Sequence, residues 1–274
     1  MKLVCLAAML TMLLHQSALA DNGVQRDIAY GADALQRMDV YLPPNAHGAP
    51  VILMVHGGAW LVGDKNAAGV TENKLTRWLP KGIIFISVNY RLSPQADPLI
   101  QAKDVALALA KAQALAPTWG GDPTRFVLMG HSAGAHLVAL LASTPALAKG
   151  QGAQPWLGTI SLDSGALDLM ETMTSKHLPL FDKVFGADPS YWREVSPLHR
   201  LSEKPAPLLV VCSALRNDSC PQARSFVAKA AALGAHAVAL PVALTHKEIN
   251  RDLGVPSSYT DSVEAFMRSL GLPL

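Results

Sequence analysis

Short apolar runs alternate with longer segments of helical periodicity along most of the chain. Val51–His56 and Ile83–Tyr90 contain few polar residues, a pattern typical of strands that are buried on both faces. In Ile100–Ala116 apolar residues recur every three or four positions, and this spacing predicts a helix. Strands that alternate with helices predict an α/β fold, in which a mostly parallel sheet is covered by helices on both faces.

The same pattern sets the bounds of the other elements. Strands are predicted at Arg37–Pro43, Val51–His56, Ile83–Tyr90, Arg125–Met129, Leu157–Asp163, Pro207–Ser213 and His236–Val242. Helices are predicted at 66–79, 100–116, 221–233 and 257–270. We count Val51–His56 as the third strand and predict a sheet of eight strands. Leu167–Leu201 breaks the alternation, and we expect it to form a small cap insertion above the sheet edge.

Charge restricts the kind of partner. Only 16% of the residues are charged and the formal net charge is +2. This balance does not favour a nucleic-acid binder or a protein held electrostatically at a membrane surface. We therefore expect a small or neutral partner, no nucleic acid and no stable membrane insertion, and the sequence does not indicate an oligomeric state.

The first 20 residues have the three parts of a secretory signal peptide. Lys2 precedes an apolar core, Leu3–Leu14, and Ala18-Leu19-Ala20 provides a small-residue cleavage site. The core is too short for a transmembrane helix. We predict cleavage near Ala20, one α/β domain over residues 21–274, and a periplasmic or secreted protein.

Beyond this leader the chain has two cysteines, Cys212 and Cys220. An even pair of cysteines in an oxidising compartment predicts a disulfide. The alternative is a pair of reduced thiols with Cys212 buried at the end of a strand.

Ser132 is the candidate nucleophile. It lies in Gly130-His131-Ser132-Ala133-Gly134, between a buried strand and a helical segment. Glycines on both sides allow the sharp strand-to-helix turn that exposes a serine hydroxyl at the carboxyl edge of a parallel sheet. Serine is a weak nucleophile until a base takes its proton, so the prediction requires a histidine, an acid that orients it, and donors for an oxyanion.

A second motif, His56-Gly57-Gly58-Ala59-Trp60, follows another buried strand and is the candidate source of those donors. The backbone N–H groups of Gly58 and Ala59, together with that of Ala133, are expected to stabilise negative charge on a reacting carbonyl oxygen.

The base and the acid are sought downstream. His246 lies beyond the last predicted strand, level with the carboxyl edge of the sheet, whereas His236 opens that strand and is better explained by packing. For the acid we select Asp218, in the loop after the seventh strand, with Asp163 and Asp168 after the sixth strand as alternatives. The predicted triad is Ser132, Asp218 and His246.

Several segments together resemble the α/β-hydrolase superfamily, in its carboxylesterase branch related to hormone-sensitive lipase and arylformamidase. They are "IAYGADALQRMDVYLP", "HGGAW", "NYRLSP", "GHSAGAHL", "YWREVSPL" and the loop of His246. The resemblance implies an α/β-hydrolase fold, an attack by Ser132 on an ester or activated amide carbonyl, and no cofactor or metal. Ala59 stands where lipase-like members usually have a third glycine, and the aspartate of the family could align with Asn217 rather than Asp218.

The predicted function is that of a secreted serine esterase that cleaves short-chain or aryl carboxylic esters. An arylformamidase-like amidase is the alternative within catalysis. A non-catalytic binding protein with the same fold is the alternative outside it, although this chain retains a candidate for every catalytic role.

Overall fold

The protein is described by a computed structural model over residues 23–274, so the predicted signal peptide lies outside the described residues. The strands are β1 (Val24–Ala29), β2 (Arg37–Tyr41), β3 (Ala49–Val55), β4 (Ile84–Val88), β5 (Gly121–His131), β6 (Gly158–Leu162), β7 (Leu208–Ser213) and β8 (Ala237–Val242). The helices are α1 (Ala68–Trp78), α2 (Pro98–Leu115), α3 (Ala133–Ser143), α4 (Pro145–Gly150), α5 (Leu169–Thr174), α6 (Pro179–Phe185), α7 (Pro189–Glu194), α8 (Pro197–Arg200), α9 (Ser219–Ala232), α10 (His246–Arg251) and α11 (Ser258–Ser269).

All eight strands form one sheet in the order β1-β2-β4-β3-β5-β6-β7-β8. The pairs β1–β2 and β2–β4 are antiparallel, and every other neighbouring pair is parallel. The predicted eight-stranded, mostly parallel sheet is therefore confirmed. Because β3, β5, β6 and β7 run in the same direction, the loops that follow them meet at one edge.

The sheet separates two large apolar layers, and β3 shows how. Val51, Leu53 and Val55 pack into the layer that contains α2 and α3, whereas Ile52 and Met54 pack into the layer under α1 and α11. Successive side chains of a strand point to opposite faces. The nearly unbroken apolar run of β3 is thus required by burial on both sides.

The differences from prediction lie at the margins of the fold. The first strand is β1, an edge strand with antiparallel pairing, and the short helix α4 follows α3 directly. His246, expected in a loop, is the first residue of α10.

Residues 167–201, which we call the cap segment, contain α5 to α8. None of these helices exceeds seven residues. Within residues 23–274, no helix combines the length and apolar character needed to cross a bilayer.

Candidate active site

Ser132 occupies the sharp turn between β5 and α3, with φ 56° and ψ −116°. A positive φ is uncommon for a residue other than glycine and signals local strain. The neighbouring glycines make this turn possible. A Cβ on Gly130 would lie 2.3 Å from the Gly134 carbonyl oxygen, and one on Gly134 would lie 2.2 Å from the Val55 carbonyl oxygen. The motif therefore packs the turn tightly against β3 and presents the hydroxyl at the sheet edge.

His246 meets Ser132 as the sequence predicts. Its Nε2 lies 2.9 Å from the Ser132 Oγ, a hydrogen bond that lets the ring accept the hydroxyl proton. The helix that starts at His246 is held at its N-terminus by a capping box between Thr245 and Glu248. This capping fixes the backbone at the position of the imidazole.

Asp163, and not Asp218, lies against His246. The Asp163 Oδ2 is 2.5 Å from His246 Nδ1, so Nδ1–H donates to the carboxylate and leaves Nε2 free to accept from Ser132. Asp163 is the first residue after β6, the strand next to β5, and its φ of 56° turns the side chain toward the site. The structure thus brings together Ser132, His246 and Asp163, one of the two alternatives considered for the acid.

The placement of Asp218 corrects the predicted acid. Asp218 lies five residues beyond the end of β7, immediately before α9, and its side chain is 50% exposed. Its two oxygens accept from Arg216, at 3.1 Å from Nε and 2.7 Å from Nη2. The carboxylate is therefore an ion-pair partner of Arg216 and makes no hydrogen bond to His246. Asp168, the other alternative, caps α5 and accepts from His199.

Asp163 is fully buried, and its carboxylate is satisfied on both oxygens. Oδ1 accepts from the Ser213 N–H at 2.8 Å and from the Ser219 hydroxyl, and Oδ2 also accepts from Arg216 Nη1 at 2.8 Å. Burial alone would raise the pKa of Asp163. The hydrogen bonds from His246, Ser219 and Ser213 and the charge of Arg216 outweigh it and hold that pKa below its usual range. Asp163 is therefore ionised beside His246.

The oxyanion motif lies beside the nucleophile. A Cβ on Gly57 would lie 2.9 Å from the Ser132 Cβ, so glycine is required for this close approach. Within the described residues, the N–H groups of Gly58, Ala59 and Ala133 donate no hydrogen bond to another backbone or side-chain acceptor. They are the three donors that the sequence predicts, and they remain available to a ligand oxygen.

Two buried polar residues that were not predicted from the sequence donate hydrogen bonds to backbone carbonyl oxygens of α10, the helix that begins at His246. His131 Nε2 donates to the His246 carbonyl oxygen at 2.8 Å, and burial together with the neighbouring His246 lowers the pKa of His131 to about 3. Lys74 is buried in α1 and donates from Nζ to the Asn250 carbonyl oxygen at 2.6 Å, at the end of α10. Burial lowers the pKa of Lys74 to about 7. Neither role has a local sequence signal, since their partners lie over a hundred residues away.

The predicted disulfide joins Cys212 to Cys220, with an S–S distance of 2.06 Å. Cys212 precedes Ser213 and Cys220 follows Ser219, and these serines are two of the donors to Asp163. The crosslink therefore encloses the donors that hold the buried acid.

A cavity of about 460 Å³ lies between the cap segment and the loop after β7, and Arg216, which pairs with Asp163, is the lining residue that links it to the triad. Arg216 lies in its wall and reaches to 2.9 Å from His246 Nδ1. The rest of the wall mixes charged and apolar side chains, among them Lys176, Leu178 and Phe181. A cleft of this size suits a small ligand.

Residues 38–225 match the BD-FAE family. Among curated relatives, the esterase LipC of Mycobacterium tuberculosis is 30% identical over 74% of this chain and 54% of its own length. A probable isoprenylcysteine alpha-carbonyl methylesterase of Arabidopsis thaliana is 38% identical over 42% of this chain and 24% of its own length. The chain thus spans about half or less of the length of these relatives.

Solved structures show the same fold at low identity. A truncated carbohydrate esterase from gut microbiota superposes with a TM-score of 0.77 at 18% identity, covering 92% of this chain and 99% of that one. Esterase 2 of Thermogutta terrifontis superposes with a TM-score of 0.74 at 19% identity, covering 91% and 95%. At these identities both likenesses concern the fold alone.

Proposed function

The chain belongs to the BD-FAE family of α/β-hydrolase type, and from this premise we propose that it is a serine esterase that cleaves short-chain or aryl carboxylic esters. The observation that carries the proposal is the hydrogen-bonded series of Ser132 Oγ, His246 Nε2, His246 Nδ1 and Asp163 Oδ2. The esterase names of the relatives agree with it.

In the proposed reaction Ser132 Oγ attacks the ester carbonyl carbon while His246 Nε2 takes the hydroxyl proton. The carbonyl oxygen becomes an oxyanion, which accepts hydrogen bonds from the three free N–H groups of the site. Collapse of this intermediate breaks the bond to the alcohol oxygen, which receives the proton from His246 and leaves an acyl group on Ser132. Water, deprotonated by His246, then attacks the acyl-enzyme and releases the acid.

The preference for small acyl groups rests on the cap segment. Its helices have no more than seven residues, which is too short for an amphipathic lid that opens a wide apolar trench. Phe181 and Phe185 fill the space next to the oxyanion motif, with ring centroids 5.8 and 4.8 Å from that of Trp60. Long acyl chains would have to displace these rings.

The preference for esters over formamides rests on the leaving group. An alkoxide or phenoxide departs with modest help from the protonated His246, whereas an amine must be protonated by the same ring as it leaves, and this demands closer placement.

The test is a substrate panel on one preparation of the purified protein. We expect kcat/KM for p-nitrophenyl acetate or butyrate to exceed that for p-nitrophenyl palmitate and for N-formylkynurenine. Ser132→Ala is the matched blank and should lower kcat by about 10⁶-fold, because the activated nucleophile is lost.

Each contrary result has a definite meaning. A tenfold advantage of the formamide, about 1.4 kcal/mol of transition-state preference, would assign amidase activity instead. Faster palmitate hydrolysis would refute the small acyl site. A Ser132→Ala variant that retained a tenth of the activity would refute the nucleophile.

A further inference from the structure

His136 lies in the helix that follows the nucleophile, yet the proposed reaction does not use it. Its side chain is fully buried among apolar residues of α3. Both ring nitrogens have partners. The Trp60 Nε1–H donates to Nδ1 at 3.2 Å, and Nε2 donates to the Val195 carbonyl oxygen at 2.7 Å. One neutral tautomer, with the proton on Nε2, satisfies both bonds.

The neutral form of this ring is the stable one. Burial lowers the pKa of His136 to about 4, although the hydrogen bond to Val195 opposes the shift. Near neutral pH the Nδ1 lone pair therefore stays available to the indole of Trp60.

The Trp60 end of this connection reaches the oxyanion loop. Ala59 and Trp60 have φ values of 53° and 60°, a conformation that costs about 1 kcal/mol or more for each residue other than glycine. Such a conformation persists only where the surroundings hold it. The Trp60 carbonyl oxygen accepts from the Ser93 N–H at 2.9 Å and from Gln101 Nε2 at 3.0 Å. At the side-chain end of Trp60, His136 accepts the hydrogen bond of the indole N–H.

The Val195 end of the connection lies in the cap segment, directly after α7. Phe185 of α6 packs edge-on against both Trp60 and His136, with centroid distances of 4.8 and 5.9 Å. One imidazole therefore joins three parts of the site: the oxyanion loop, the nucleophile helix and the cap segment.

We propose that His136 is a positioning residue that sets the oxyanion-loop N–H groups through the indole of Trp60 and couples them to the cap segment. The inference rests on the proposed function, because an oxyanion forms only if Ser132 attacks a carbonyl. It assigns His136 no contact with substrate. Loss of the bond should weaken binding of the charged intermediate while leaving binding of the neutral ester nearly unchanged.

The test compares two variants that break the same bond from opposite sides. Trp60→Phe keeps an aromatic ring and removes the indole donor, and His136→Leu removes both ring partners. Trp119→Phe is the matched control, because Trp119 is also buried and donates from its indole to Gln25 of β1 at 3.0 Å, two residues before β5 and at the opposite end of that strand from Ser132. His136→Gln restores an acceptor and a donor in one side chain.

We measure kcat and KM for p-nitrophenyl acetate, and the inhibition constant of a trifluoromethyl ketone, which adds to the serine as a tetrahedral oxyanion. Removal of one oxyanion donor costs about 10²–10³-fold in kcat, so displacement of the loop should cost less. We expect Trp60→Phe and His136→Leu to lower kcat by about tenfold, to weaken the ketone by a similar factor, and to change KM by less than threefold. His136→Gln should recover part of the loss, and Trp119→Phe should match the wild type.

The outcomes separate the two proposals. If the wild type neither hydrolyses the ester nor binds the ketone, the proposed function fails. If the wild type is active and Trp60→Phe keeps both kcat and ketone affinity within twofold, the positioning role of His136 is refuted, even where His136→Leu does not fold. A rise in KM with unchanged kcat would also refute it, since it would place the Trp60–His136 pair in substrate binding.

Discussion

The loops after β6 and β7 each carry an aspartate that is paired with Arg216, but the two carboxylates lie in opposite environments. Asp163 is fully buried and accepts hydrogen bonds on both oxygens from residues of other elements. Asp218 is half exposed and paired with Arg216, two residues away. Buried charges persist only where they are paired and hydrogen-bonded. The difference shows that the acid is defined by its surroundings and by the strand it follows, and not by its place in a longer loop.

Exchange of each carboxylate for an amide gives the largest expected contrast between the loops. Asp163→Asn should lower kcat for p-nitrophenyl acetate by about 10⁴-fold, because an amide neither fixes the productive tautomer of His246 nor stabilises the imidazolium. Asp218→Asn changes a side chain of the same size and charge, and we expect it to remain within about tenfold of the wild type. The reverse order of effects would restore Asp218 as the acid.

How much of this site is predictable from sequence differs between its members. Ser132 and the oxyanion motif are predictable because their glycines satisfy local steric requirements, and His246 because it is the one histidine beyond the last predicted strand. To predict Asp163 one must know that β6 lies next to β5 and that Asp163 itself has a positive φ. No short sequence motif indicates either feature. His136 looks like a polar residue in an apolar helix until its partners, 59 and 76 residues away, are known.

The disulfide gives a second contrast between the two loops. It closes the loop after β7, but that loop contains Ser213 and Ser219, which donate to Asp163 in the loop after β6. In a Cys212→Ser/Cys220→Ser variant the free energy of unfolding should fall by about 2.5 kcal/mol by the chain-entropy estimate. We also expect kcat to fall by about tenfold, since a hydrogen bond to a charged group contributes about 1.5–3 kcal/mol and the donors beside the cysteines lose their constraint. Urea denaturation and ester hydrolysis measure the two effects.

Mild reduction provides the control for this variant. Reductant should lower the activity of the wild type and leave the double variant unchanged. The intact mass of protein recovered from the periplasm tests the oxidised pair and the expected cleavage near Ala20 together. Two free thiols in that protein would show that the disulfide does not form. Unchanged activity in the double variant would show that the disulfide is not needed to hold Asp163 in place.

The smallest expected effect concerns acid stability. Hydrogen bonds and the charge of Arg216 hold the pKa of Asp163 below its value in the unfolded chain. A lowered folded-state pKa contributes stability that is fully present above the unfolded pKa, about 3.9, and is lost as the pH falls toward the folded one. Below pH 4 the unfolding free energy of the wild type should therefore fall more steeply than that of Asp163→Asn, by up to about 1.4 kcal/mol per pH unit. Asp218→Asn keeps Asp163 and should keep the steeper slope. Urea titrations between about pH 2 and 4 measure all three slopes. Equal slopes for the wild type and Asp163→Asn in that range would show that the donors around Asp163 do not stabilise its charged form.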